Sequence, residues 1–304
     1  MTRLPLAAVF LLLLTCALWR DAASQPNFTH QIAPGVYYRA ADRPKNIIAN
    51  TGWVVFRDYV LVIDANFPWG ARDILPDIRK TTSKPIRFVF NTHYHSDHAF
   101  GNSLWIDAGA TILCSRECAA ESLAKNPAAW ANYTPTAGNS LNGARLEHPQ
   151  IGFQDKLVFD DGEHRVELTR VGPGHTLGDS VAYLPKEKIL FTGDLCVNFA
   201  GNNIADPDAD PDNWLRALDG LAQKDFGILI PGHGGQGSSE TLRGQRAYLA
   251  DIIKGVRAGI GKGVTGDQLA EQMDLSSHKP WGQDQARNKV SIRAVYAKLS
   301  RSRS

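Results

Sequence analysis

Residues 86–102 read IRFVFNTHYHSDHAFGN. The first five have the length and apolar composition of a buried strand. That strand runs directly into His93, His95, Asp97 and His98, four metal-capable side chains within six residues. His93 and His95 are two apart, so a bent loop can turn both imidazoles toward one ion. Asp97 and His98 can then face a neighbouring ion. Neutral imidazole and carboxylate are ordinary zinc ligands, and a catalytic zinc keeps one position open for water. Core packing does not explain so dense a cluster behind an apolar strand.

A site opened by one strand end has to be closed by others. His175 lies in GPGHT after the run 165–171, Asp194 in FTGD after 189–191, and His233 in IPGHG after 227–230. Each is an apolar run followed by a glycine turn that presents one side chain. Alone, a histidine after Pro-Gly is usually a capped turn; beside the cluster at 93–98 these three become candidate ligands. Around them, strand-like and helical runs alternate. Residues 54–64 break at Arg57-Asp58 as a hairpin would, and 71–80 are helical in pattern although Pro76 sits among them. Residues 102–108 and 116–125 are helical, and 111–114 form a strand. Residues 126–149, with Pro127, Pro135, Gly138, Gly143 and several Asn, read as a long loop. A second strand series occupies 156–159, 165–171, 181–184 and 189–191. Residues 213–224 make an amphipathic helix with Trp214, Leu215, Leu218 and Leu221 on one face. After His233 the pattern is helical to the end. Such alternation specifies α/β layers.

These elements together resemble the metallo-β-lactamase superfamily. Its H-x-H-x-D-H motif is matched by His93, His95, Asp97 and His98. The later Gly-His, Gly-Asp and Gly-His elements follow in the family's order at His175, Asp194 and His233, and Asp64 matches its early acidic position. The resemblance spans residues 35–237. It implies an αββα sandwich, here with C-terminal helices over 235–304, and a two-metal site along one edge of the sheets. His93, His95 and His175 would hold the first Zn2+, and Asp97, His98 and His233 the second, with Asp194 bridging. The resemblance also implies that a hydroxide between the ions is the nucleophile and that Asp97 orients it and relays a proton. Tyr94 and Ser96 fall at variable motif positions and receive no role.

Asp194 also bears on subclass. The cysteine-containing β-lactamases carry Cys at this position with a substrate-binding Lys soon after; this chain has neither, and Cys196 reads as a core thiol. A bridging Asp is instead similar to glyoxalase II, lactonases and other ester hydrolases of the superfamily. The expected activity is therefore dinuclear zinc-dependent hydrolysis of a small ester, thioester, lactone or lactam. A β-lactamase proper is one alternative. A non-haem iron sulfur or oxygen oxidoreductase on the same fold is another, opposed by His95 and by the presence of both His98 and His233.

Composition narrows the partners. Lys and Arg total 33 against 31 Asp and Glu, a net charge of +2, so nothing points to nucleic acid and a small-molecule substrate is expected. Arg3, the apolar run 4–18 and the small residues Ala22, Ala23 and Ser24 read as a secretory signal peptide, 1–24. The run is shorter than the ~20 residues that span a bilayer. Residues 25–304 are thus expected to be a hydrolase domain in the periplasm or medium, without stable membrane insertion. Cys114 and Cys118 are close enough to pair and equally suited to be free thiols. His30, His148, His164 and His278 lack motif context and read as solvated. Trp53, Phe67 and Trp69 read as aromatic core near the pocket mouth. The acidic stretch 203–212 reads as a loop beside the site that caps the next helix.

Overall fold

Strand β4 (Val60–Ile63) is buried at all of its positions, which demands cover on both of its faces. The alternation of its side chains shows what supplies that cover. Val60 and Val62 share a cluster with Ile74 and Ile78 of helix α1 (Pro68–Thr81), whereas Leu61 and Ile63 pack with Phe191 and Ile230 of a second sheet. In the second sheet, β10 (Ser180–Leu184) mirrors this: Ala182 and Leu184 face the first sheet, and Val181 and Tyr183 face C-terminal helices. Helix, sheet, sheet and helix therefore stack as four layers, and the αββα sandwich with C-terminal helices is the observed fold.

The computed structural model describes residues 28–42, 48–137, 141–201 and 204–301; the expected signal peptide lies outside the described residues. The first sheet runs β1 (Thr29–Ala33), β2 (Val36–Arg39), β3 (Thr51–Val55), β4, β5 (Ile86–Phe90), β6 (Thr111–Ser115) and β7 (Ile151–Phe153) in chain order. Its first four strands are antiparallel, and β4 to β7 are parallel. The second sheet runs β12-β11-β10-β9-β8, from β8 (Lys156–Asp160), β9 (Arg165–Arg170), β10, β11 (Ile189–Gly193) and β12 (Ile228–Pro231), with β11 and β12 parallel. One outer layer holds α1 and α3 (Asn102–Asp107). The other holds α5 (Pro211–Leu221), α6 (Ser239–Gly261), α7 (Gly266–Gln272) and α8 (Gln285–Arg301) around Trp214, Ile252, Val256 and Val295. Among the described residues no helix is long and apolar enough to cross a membrane.

Several expectations need correction. Helix α4 (Arg116–Ala137) continues through the first half of the stretch read as a loop. Alanine-rich composition favours helix, Glu121 and Lys125 pair at i,i+4 with 2.9 Å, and Asn126 turns its amide to Tyr94 O at 3.0 Å. Tertiary anchoring thus outweighs the Asn and Pro signals. His30 and His164 are buried, not solvated: His30 stacks on Tyr38, and His164 Nδ1 meets Glu187 at 2.6 Å. Cys114 and Cys118 are both free and buried. Pro76 is accommodated inside α1, and α5 starts two residues earlier than expected, capped by Asp210, which accepts from Asn213 N at 2.9 Å.

Candidate metal centre

All seven candidate ligands stand at the C-terminal ends of strands. The segment after β5 bends into a single helical turn, α2 (Ser96–Ala99), whose first turn carries Asp97 and His98. His175 follows β9, Asp194 follows β11, and His233 follows β12. The parallel register of β11 and β12 brings Gly193-Asp194 beside Gly232-His233. A Cβ on Gly232 would lie 2.0 Å from Asp194 Oδ1, so glycine there is what lets the carboxylate occupy its position.

Three groups of ligand atoms form, each within 4.8 Å: His93 with His95 and His175, His93 with His98 and Asp194, and Asp97 with His98 and His233. His95 Nδ1 and His175 Nε2 face each other at 3.0 Å, and His98 Nε2 and His233 Nε2 at 3.4 Å. Ligands about 2.05 Å from a tetrahedral zinc stand about 3.3 Å apart, so these spacings suit a shared ion. His93 Nε2 and Asp194 Oδ1 are buried without a hydrogen-bond partner. Asp194 is common ground: Oδ1 is 3.3 Å from His98 Nε2, and Oδ2 is 3.1 Å from His233 and 3.7 Å from His175. Asp97 Oδ2 is 3.3 Å from His233 Nε2. The residues therefore fit a metal centre, and the seven named from sequence are all brought together.

Among the described residues, four of the five imidazoles have their outer nitrogens held by the protein; His175 Nδ1 is buried without a hydrogen-bond partner. His98 Nδ1 bonds Asp64 Oδ2 at 2.9 Å, and Thr92 N donates to Asp64 Oδ1 at 2.8 Å, so the early acidic position orients a ligand rather than joining the centre. Asp64 pays for this with a positive φ of 65°. His233 Nδ1 donates to Ile48 O at 2.7 Å, and His93 Nδ1 meets Thr92 Oγ1 at 3.1 Å. His95 Nε2 meets Asp206 Oδ2 at 2.9 Å. Asp206 was not singled out individually from sequence; its signal was the acidic stretch 203–212, which does lie beside the site. Tyr94 gains a partner from the same stretch, donating to Asp208 at 3.1 Å, while Lys125 bonds the same carboxylate.

Electrostatics divide the imidazoles. Burial, then the neighbouring His98 and His95, holds His93 well below the usual histidine range, and burial brings His175 down to about 4. Both are therefore neutral, as ligands must be. Burial also opposes charge on Asp194, but His233 and His98 overcome it and hold the carboxyl well below its usual range. Burial opposes charge on His98 and His233 as well, but Asp64 beside the first and Asp194 beside the second overcome it and hold both above the usual histidine range, so a bound cation would take the place of protons that Asp194 now faces.

The fold and this cluster define a class, and comparison with known proteins agrees. The chain belongs to the metallo-β-lactamase superfamily, whose profile matches residues 46–233. It is 24% identical over 245 residues to a linear primary-alkylsulfatase from Pseudomonas sp., covering 68% of this chain and 46% of that protein. It is 31% identical over 112 residues to the type 2 metallo-β-lactamase of Bacteroides fragilis, covering 36% of this chain and 45% of that one. The chain thus spans about half the length of these relatives. Among solved structures, the sec-alkylsulfatase Pisa1 from Pseudomonas sp. shares the fold with a TM-score of 0.68 at 17% identity, over 89% of this chain and 50% of that one.

Proposed function

We propose that this chain is a hydrolase carrying two zinc ions, one among His93, His95 and His175 and one among Asp97, His98 and His233, with Asp194 shared. The observation that carries this reading is that facing ligand atoms from four segments converge at the separations a shared ion requires, with an ionised carboxylate between the two groups. Zinc ions held by these residues would lower the pKa of a bound water toward about 7 and would polarise the oxygen at the bond to be cleaved. The protein's own part is positional. Asp206, Asp64 and Ile48 O fix three imidazole planes, so the centre is preorganised. Asp97 borders the open cleft, where its carboxylate holds a proton between water and leaving group. Val197 and Phe199 give the cleft an apolar wall that limits access of bulk water.

The substrate range is a small ester, thioester, lactone or lactam, and the alkylsulfatase relative supports adding sulfate esters. The experiment is metal analysis of the purified protein and of Asp194→Ala, with both assayed on ester, thioester, lactone, lactam and sulfate-ester chromogens. Two zinc per chain, falling in the variant together with turnover by at least about 100-fold, supports the reading. A single iron without hydrolysis overturns it. The apolar run at residues 4–18 supports export with cleavage after Ser24. Mass spectrometry of protein recovered outside the cytoplasm tests this; a mature chain starting at Gln25 is expected, and retention of residues 1–24 contradicts it.

A further inference from the structure

The metal centre opens into a cleft of about 470 Å³ whose far wall comes from α8, beyond the span matched to the family. Half of its lining residues are apolar: Ile48, Val197, Phe199, Ala205, Ala286 and Val290. Val290 is 53% exposed and lies beside Ala286 and Phe199 on the cleft wall, so its apolar surface is open to a ligand. Apart from histidines, Arg287 is the single cationic side chain among the lining residues.

Arg287 is placed firmly while keeping its donors available. Its guanidinium lies over the Phe199 ring, 5.4 Å from the centroid, and Phe199 in turn packs edge-on to His233 at 5.9 Å. One aromatic ring therefore separates the cation from a candidate ligand. Its aliphatic stem lies against Gly201, where a Cβ would come within 2.5 Å of Arg287 Cδ. Its Nε pairs with Asp284 Oδ2 at 3.3 Å and its backbone N donates to Asp284 Oδ1 at 3.0 Å, which leaves the two terminal guanidinium nitrogens without a hydrogen-bond partner among the described residues. Elsewhere on the same layer, Arg293 bonds Asp267 at 2.6 Å, Arg246 bonds Asp219 at 2.8 Å and Arg257 bonds Asp212 at 2.6 Å. Stacked guanidinium with free in-plane donors is the arrangement that recognises a carboxylate or a sulfate.

We propose that Arg287 is a specificity-determining residue that binds an anionic group on the substrate, remote from the bond cleaved, while Phe199 and Val290 hold an apolar body between the two. The substrate class is then an amphiphilic anion, such as an ester with an alkyl or aryl body ending in a carboxylate or sulfate. This rests on the hydrolytic reading for its turnover arm but not for its binding arm.

Binding is measured first, by calorimetry on the zinc-loaded full-length protein with octanoate and with octanamide as probes, for the wild type, Arg287→Ala and Arg287→Lys. Octanoate is expected to bind at least 10-fold tighter than octanamide. Arg287→Ala should erase that preference and leave octanamide within about 2-fold, and Arg287→Lys should restore part of it. In turnover, the ratio of kcat/KM for a carboxylated ester to that for its neutral counterpart should fall at least 10-fold in Arg287→Ala, through KM. Equal loss for both probes would make Arg287 a structural residue and overturn the proposal. So would unchanged octanoate affinity in Arg287→Ala, which would place the anion on the metals instead. If binding behaves as expected while no ester is cleaved, the hydrolytic reading fails and the anion site stands.

Discussion

His95 illustrates how much of a metal centre resides outside its ligands. Its Nδ1 points to the first group, and its Nε2 is held by Asp206 at 2.9 Å, both side chains being largely buried. A carboxylate behind a ligating imidazole fixes the ring and its tautomer and raises the basicity of the ligand nitrogen. Burial opposes charge on Asp206, but the bond to His95 overcomes it and draws the carboxyl down to about 2. The partnership therefore persists at any pH well above 2, where Asp206 stays ionised. Asp206→Ala is expected to weaken the first metal site by about 10- to 100-fold, the usual cost of losing such a partner. Competition with a chromogenic chelator reads this directly. Unchanged affinity would mean that His95 is fixed by its neighbours alone.

Between elements, the parallel contact of β11 with β12 is the most demanding joint. Gly232 N donates to Gly193 O at 2.8 Å, and a Cβ at Gly232 would meet Asp194 Oδ1 at 2.0 Å and the Gly193 carbonyl carbon at 2.7 Å. Backbone cannot yield as a flexible side-chain tip can, so the carboxylate must move. If the centre holds the two ions proposed, Gly232→Ala should reduce bound metal to one or none and lower turnover by about 100-fold, the scale of a displacement near 1 Å. Gly227→Ala provides the control, since a Cβ there meets nothing within 4 Å. Elemental analysis of both variants decides the matter: two ions retained in Gly232→Ala would show that the strand ends are not tightly coupled to the centre. The same scale explains α4. Pro127 and Asn126 read locally as loop residues, yet Asn126 spends its amide on Tyr94 O, a contact 32 residues away. Propensity is a weak prior where such an anchor exists.

At the scale of the whole molecule, the C-terminal helices are both a layer of the sandwich and a wall of the cleft. Trp281, in a short 3-10 turn between α7 and α8, is 4% exposed, donates from Nε1 to Val197 O at 2.6 Å and packs against Gly244 of α6. It ties the segment after Asp194 to the helical layer. Trp281→Ala should cost about 3–5 kcal/mol, as large-to-small changes in a core do. Because Val197 lines the cleft, it should also loosen substrate binding more than it lowers metal content. Urea unfolding and a KM measurement together test this, and a variant as stable as the wild type would contradict the layer's role.

The sequence alone pointed to α/β layers and, through its resemblance to the superfamily, to the order of the seven candidate residues that the fold brings together. These are encoded locally: a buried strand shows as an apolar run, a turn as glycine, and His93, His95, Asp97 and His98 lie within six residues. Only the tertiary structure decided which residues stand behind and around the cluster. Tyr94 meets Asp208 across 114 residues of sequence, and His95 meets Asp206 by the same crossing. His164 finds Glu187, and Arg287 comes to rest over Phe199. Periodicity tells which face of an element is buried. Which distant segment covers that face depends on how the layers dock, and docking is a property of the folded chain as a whole.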